Sequence, residues 1–330
     1  MRRILLPLAC LFLLAGALPV AAVQAPVRLF DKGYDFWDCD WSPDGSVLAL
    51  AGKSHYQPAD KARIWLYSAG ADKPAPWTNT DAYCDDWPRW SPDGRTIALV
   101  RKELTAGRRS CIWLKDVATG AGRRLTLGPD DRQPSWSPDG KNLVFRRGLS
   151  PQQSVLAVLD LANNRIANLP VAPGLLGEPF WGEDSRIYYT RYTLGRQQTQ
   201  AAGKTYNVQV IAAGRIWSYQ PSSGQDGPAF SEQFDQRMPA LSPNGKWLAF
   251  YGQRQGSSVP SAIPDPANWA LFIRDQASGA LTEAAVNIGL TGGPPSWTRD
   301  SRKVNFLLYY NRMESPSLWS YQVELPVAIQ

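Results

Sequence analysis

The chain has 330 residues, of which 44% are hydrophobic, 19% are charged and 14 are Trp, and its formal net charge is +6. That apolar and aromatic content excludes a disordered or collagen-like chain. The 27 Gly and 27 Pro exclude long helical bundles, because breakers at that density leave only short elements joined by turns.

The first element in chain order is a leader. Arg2 and Arg3 precede an apolar run from Ile4 to Val20, and Val20-Ala21-Ala22 is a small-residue cleavage signal. The expectation is a signal peptide over residues 1–22, cut after Ala22, and a single domain over residues 23–330. Cutting there leaves 308 residues and a charge of +4. Cys10 follows Pro7-Leu8-Ala9, a poor lipidation context. No other apolar run approaches the roughly 18 residues that span a bilayer. The protein is therefore expected to be periplasmic, with no transmembrane segment. Its positive charges form no Lys/Arg block, so nucleic acid is not an expected partner.

Next comes a repeat. Trp41-Ser-Pro-Asp-Gly45, Trp90-Ser-Pro-Asp-Gly94 and Trp136-Ser-Pro-Asp-Gly140 are followed by degenerate copies that start at Trp181, Leu241 and Trp297, at intervals of 49, 46, 45, 60 and 56 residues. Ser-Pro-Asp-Gly makes a tight turn, since Pro presets φ, Asp bonds back to the backbone and Gly takes positive φ. Each Trp ends one strand. An apolar strand follows each turn (Val47–Leu50, Ile97–Val100, Leu143–Phe145, Ile187–Tyr189, Trp247–Phe250, Val304–Leu307), then a third (Ile64–Tyr67, Ile112–Lys115, Val155–Val158, Ile216–Tyr219, Leu271–Ile273, Leu318–Tyr321). A weaker fourth, such as Arg124–Thr126, completes the unit. Four short antiparallel strands repeated six times predict an all-β, six-bladed β-propeller. Val27–Phe30 resembles a fourth strand without its own unit, and is expected to pair with the last blade and close the ring.

The phrase x-Pro-x-Trp-Ser-Pro-Asp-Gly, with Pro88, Pro134, Pro179, Pro239 and Pro295 two before the repeat position and Cys39 the exception, resembles the WD40-like Pro-Asp repeat of TolB-type propellers. The resemblance covers residues 23–330 and implies the fold more than a function. TolB itself carries an α/β domain before its propeller that engages TolA. Here about 14 residues precede Trp37, so the resemblance implies a propeller without that domain.

Residues three to six before each repeat Trp are expected at the channel mouth, on the face shared with the loops after each second strand. They are Asp35, Phe36, Trp37 and Asp38; Cys84, Asp85, Asp86 and Trp87; Asp130, Asp131, Arg132 and Gln133; Glu178; and Asp235 with Arg237. Blade six offers Gly292, Gly293 and Pro294, which suggests an opening there. The loops after the second strands carry Arg101, Lys102, Arg108, Arg109, Arg146, Arg147, Arg191, Arg196, Arg254 and Arg312, so an acidic centre with a basic surround is expected. The candidate binding set is Trp37, Asp38, Asp85, Asp86, Trp87, Asp131, Arg132, Glu178 and Arg237, with the two Trp as anchors. The competing reading is that these carboxylates cap loops and pair with neighbouring Arg.

No cofactor is expected. A calcium ion on Asp38, Asp85, Asp86 and Asp131 is the alternative, since hard oxygen ligands suit it. The single histidine, His55, is expected in a loop; it cannot build a His-rich metal site or a Ser/His/Asp triad, and there is no Gly-x-Ser-x-Gly elbow. The repeat Asp residues are read as turn residues, and Trp41, Trp90 and Trp136 as core. Cys39 and Cys84 fall near the mouth on adjacent blades and are the first candidate disulfide, with Cys84–Cys111 the rival. Two insertions, 191–214 and 252–268, are expected as long loops. The function expected is a monomeric, non-catalytic scaffold that binds an envelope protein or peptide. The alternative is a carbohydrate- or small-molecule-active propeller enzyme, a lyase or hydrolase using mouth carboxylates.

Overall fold

The computed structural model describes residues 27–322 apart from 31–32, 57–60, 80–81, 105–108, 202–203, 233, 255–267, 287, 289, 291 and 309–316. The leader, Arg108, Arg312 and most of the 252–268 insertion lie outside the described residues. Within them, six four-stranded antiparallel sheets are arranged as a propeller. The inner strands are Tyr34–Trp41, Tyr83–Trp90, Asp131–Trp136, Leu175–Trp181, Gln236–Leu241 and Ser296–Trp297. Each is followed in space by the second, third and fourth strands of its unit. In the last sheet the fourth place is taken by Val27–Arg28, which pairs with Ser317–Gln322 in the register Val27↔Ser320 and Arg28↔Trp319.

The turns follow from their sequence. Gly45, Gly94, Gly140 and Gly245 take φ of 72°, 71°, 70° and 70°, and Ser185 and Ser301 hold the same left-handed place in the degenerate copies at 62° and 59°. Asp44 accepts from the Ser42 hydroxyl at 2.6 Å and from the Ser46 amide at 3.0 Å, and those bonds lower its pKa to about 2. Asp93, Asp139 and Asp300 are lowered for the same reason. The turn reading of these residues holds.

The second strands are the hydrophobic heart. Leu48 to Ala51 and Leu143 to Phe145 are fully buried, and each fully buried Leu, Ile or Phe contributes about 1.5–3 kcal/mol. Among the described residues, one apolar cluster lies between each sheet and the next. Ala49, Ala51 and Ile64 meet Trp90, Ile97 and Leu99, for example, and Leu307 and Leu318 of the last sheet meet Phe36, Leu48 and Leu50 of the first. Burial of both faces of every sheet explains the apolar and aromatic composition.

Two expectations are corrected here. The 191–214 insertion is no loop. Ile187–Ala201 and Lys204–Gln220 form one ladder, unbroken but for a register shift at Thr193/Leu194, down to Ala201↔Lys204, and carry a hairpin well beyond the sheet with Tyr206 exposed. The cysteines are also unbridged: Cys39, Cys84 and Cys111 are free thiols. Cys39 packs with Leu307 and Leu318 of the last sheet, so its side chain faces away from the second sheet that carries Cys84. The rival pair fails as well, since Cys111 instead directs its Sγ to the Gly128 carbonyl at 3.7 Å.

Candidate functional site

The inner strands carry a repeated irregularity that builds the channel. Register shifts fall at Asp86/Arg89, Arg132/Ser135, Gly177/Phe180 and Arg237/Ala240. At each, the residue before the Pro is left-handed: Trp87 at φ 52°, Gln133 at 57°, Glu178 at 46° and Met238 at 58°. Pro has no N–H to give a ladder, so a bulge is where an inner strand can hold it. The first sheet, with Cys39 in place of Pro, shifts register one residue earlier, at Phe36/Asp38. Asp38 takes the equivalent place there.

This bulge sorts the candidate residues. Asp38, Asp86, Trp87, Arg132, Glu178 and Arg237 stand at or beside these bulges, a belt of bulge residues across five sheets, with the Trp37 indole reaching Asp86 of the second sheet. Asp86 Oδ1 accepts the Trp37 indole Nε1–H at 3.0 Å and the Trp87 backbone N–H at 2.8 Å, so one oxygen orients the Trp37 ring and pins the Trp87 main chain. The Arg89 guanidinium lies 5.4 Å from the Trp87 ring centroid and donates through Nη1 to Asp38 Oδ2 at 3.0 Å. Burial still outweighs Arg89 at Asp38, whose pKa rises to about 7. Burial also raises Asp86, against the bonds from Trp37 and Trp87. At the bulge of the fourth sheet, Glu178 accepts from Gln133 Nε2 at 3.1 Å and from the Tyr192 hydroxyl at 2.6 Å, and burial raises its pKa. Arg237 pairs with Asp235 at 2.6 Å and stacks on Trp269, 4.7 Å from the centroid.

Asp85 and Asp131 are not in this belt. One residue further from the bulge, they are fully buried and bound bidentately by the Arg opposite on the second strand. Arg101 donates to Asp85 at 2.7 and 2.8 Å, and Arg147 to Asp131 at 2.7 and 3.0 Å. Arg101 is also held between Tyr83 and Trp113, each 4.9 Å away. Asp130 is shared by Arg132 and Arg146. The acidic centre and basic surround are thus largely neutralised pair by pair, and the loop-capping, Arg-pairing reading holds for Asp85 and Asp131. The four-carboxylate calcium set is not assembled, and no group of three or more potential ligands gathers for a metal among the described residues.

The opening expected at the sixth sheet is filled. Gly292 and Gly293 are buried, and the Gly293 amide donates to the Trp37 carbonyl at 2.8 Å. A Cβ on Gly293 would lie 1.8 Å from Asp38 Oδ1, so glycine is required for Asp38 to occupy that space. His55 lies beside Asp35, with Nε2 2.7 Å from Oδ2.

Sequence reasoning stopped short of the residue just before each repeat Trp. Those positions hold Asp40, Arg89, Ser135, Phe180, Ala240 and Ser296, and all line a cavity of about 180 Å³ at the turn end of the channel. Asp40 Oδ2 accepts the Trp90 amide from the next sheet at 2.7 Å, and burial raises its pKa to about 6. Ser135 holds the Trp181 amide in the same way at 3.0 Å. Aligning the six copies at that one column would have exposed the set.

No family model matches the sequence. The chain is 27% identical over 216 residues, 64% of its length, to the uncharacterized peptidase YuxL of Bacillus subtilis (strain 168), and the match spans 29% of that protein. Among solved structures it is similar to TolB from Acinetobacter baumannii, with a TM-score of 0.63 at 18% identity over 85% of this chain and 64% of that one. It is also similar to an oligogalacturonate lyase from Vibrio parahaemolyticus, with a TM-score of 0.55 at 13% identity over 90% and 93%. These likenesses show the fold, a TolB-type β-propeller arrangement.

Proposed function

We propose that this is a periplasmic, monomeric, non-catalytic scaffold of TolB-like architecture that binds an envelope protein or peptide at the loop-side mouth of its channel. The observation that carries the reading is the pair of half-buried indoles, Trp37 held through its N–H by Asp86 and Trp87 faced by the Arg89 guanidinium. Aromatic anchors held in place before binding lose little freedom on association and are what tight interfaces are built around. The belt carboxylates have Arg, Trp, Tyr or Gln partners, an arrangement for holding shape. The TolB-type neighbour supports an envelope role, and no helix among the described residues is long and apolar enough to cross a membrane.

A second reading, a carbohydrate- or small-molecule-active enzyme, draws on Asp38, whose raised pKa near 7 beside Arg89 suits a general acid, and on lyase and peptidase relatives with this fold. Capture from envelope extract on immobilised protein decides between them. Wild type is expected to retain a partner that the Trp37→Ala/Trp87→Ala double variant loses, with melting curves confirming that the variant is folded. Equal recovery on both overturns the mouth. Turnover of a glycan abolished by Asp38→Asn, with no partner retained, replaces the scaffold by the enzyme.

A further inference from the structure

The fourth sheet ends in a ribbon with nothing beside it. Ile187–Ala201 and Lys204–Gln220 are paired out to Ala201↔Lys204, but the strands that flank them stop short. Leu175–Trp181 reaches only to Tyr192, and Gln225–Pro228 only to Trp217. The Gly214 amide donates to Asp235 Oδ1 at 2.7 Å. Beyond it, the outer edge of Lys204–Ala213 has no backbone partner among the described residues. Along such an edge every second residue turns its N–H and C=O outward. A two-stranded ribbon is only marginally stable in water, so a third strand would add bonds that it lacks.

The sequence of the edge leaves it open. Proteins ordinarily blunt an edge with Lys, Pro, a bulge or a cover. From Thr205 to Ala213 there is no charged residue and no Pro, and Thr, Tyr, Val and Ile, all good strand formers, make up much of it. The register shift lies at the base, where Thr193 faces Ala213 and Leu194 faces Ile211, so Lys204–Ile211 is evenly paired. Tyr206 and Ile211 are exposed along this stretch. Charge then selects the occupant. Between Asp184 and Asp226 the sequence has no acidic residue, while the ribbon carries exposed Arg196 and Lys204.

We propose that the edge of Lys204–Ala213 is a docking strand, which takes an extended, acidic peptide segment as the third strand of the ribbon. Backbone bonds to an edge supply affinity for almost any extended chain, and side chains at alternate positions supply the selection. Acidic residues on the guest complement Arg196 and Lys204, whereas a second copy of this chain would bring like charges together. The strand is distinct from Trp37 and Trp87, which belong to the first two sheets.

The test is fluorescence anisotropy of a dye-labelled decapeptide of alternating Glu and Val, titrated with the full chain beside a Lys/Val counterpart. The expected result is saturable, one-to-one binding of the Glu/Val peptide. Binding should be lost when residues 196–209 are replaced by an Asn-Gly turn, and weakened about fivefold in Arg196→Gln/Lys204→Gln. Gly195 and Val210 are partners in the ladder, so the shortened ribbon closes on an existing pair, and melting curves check that it folds. The charge variant alters exposed side chains only, and keeps the test decisive should the shortened chain not fold. No binding of the Glu/Val peptide, equal binding of the Lys/Val peptide, or affinity that neither variant lowers overturns the proposal. So does a wild-type dimer in sedimentation that the shortened ribbon abolishes, which assigns the edge to a second copy. Trp37→Ala/Trp87→Ala is expected to leave the titration unchanged, which keeps the outcome distinct from that of the mouth.

Discussion

The two ends of the channel solve opposite problems with the same repeat. At the loop end, charged and aromatic side chains are locked into one another: Asp86 orients the Trp37 indole, Asp38 holds Arg89, and Glu178 gathers Gln133 and Tyr192. At the turn end the lining is Trp, Pro and Ser around Asp40 and Arg89, and the N–H groups of Trp41 and Trp90 are packed away with no acceptor among the described residues. A saturated polar network is rigid and presents shape, whereas a buried donor left unpaired costs stability and specifies nothing. The bulge before each Pro marks where one regime gives way to the other.

The sharpest way to break the loop end is from behind. Asp85→Ala removes the partner of Arg101, a guanidinium held between two aromatic rings, and is expected to cost about 3–5 kcal/mol in urea unfolding. A loss below about 1 kcal/mol would show that Arg101 finds water readily and that the pair is not what braces the mouth.

A smaller effect should appear with pH. Asp38 and Asp40 are raised from 3.8 to about 7 and about 6, so between those limits the folded chain holds protons that the unfolded chain has released. Their contribution to stability is therefore fully present below about pH 4 and is lost as pH rises through 6 and then 7. Subtracting the stability profile of Asp38→Asn from that of wild type should isolate a decline of this sign, and a difference that rises with pH would refute it.

The smallest effect contrasts the two kinds of indole at the turn end. Trp136→Phe loses its bond to the Arg89 carbonyl and should cost about 1 kcal/mol beyond the change in ring size. Trp90→Phe removes a donor without a protein acceptor and should carry no such cost. Equal losses in thermal melts would erase the distinction between tied and open N–H groups.

Much of the architecture was legible because it rests on local rules repeated six times. The turn residues, the apolar second strands and the pairing of Val27–Arg28 with the last sheet all follow from pattern. The site was legible only in outline. Alternation along a bulged strand decides whether a carboxylate reaches a Trp of the neighbouring sheet or turns towards its own Arg, and one residue reverses that choice. Asp86 and Asp85 are neighbours in sequence with different surroundings for this reason. The hairpin of the fourth sheet escaped notice because Gln197, Gln198 and Gln200 carry no apolar alternation, and its ladder is held by backbone pairing instead. Cys39 looked like a disulfide partner from its height in the channel, while its side chain belongs to the seam between the first and last sheets.

That seam has a consequence for how the molecule comes into being. The strand Val27–Arg28 joins a sheet whose other members, Ser296–Trp297, Lys303–Leu308 and Ser317–Gln322, come later in the chain than the other five sheets. The earliest piece of the fold must therefore wait for the latest, and the contact that completes the circle spans nearly the whole chain. Such distant pairings are slow to form and leave a raw strand edge until they do. The ring is a clasp fastened last, so a permuted chain opened between two other sheets would replace that late closure with a covalent link while keeping every packing interface.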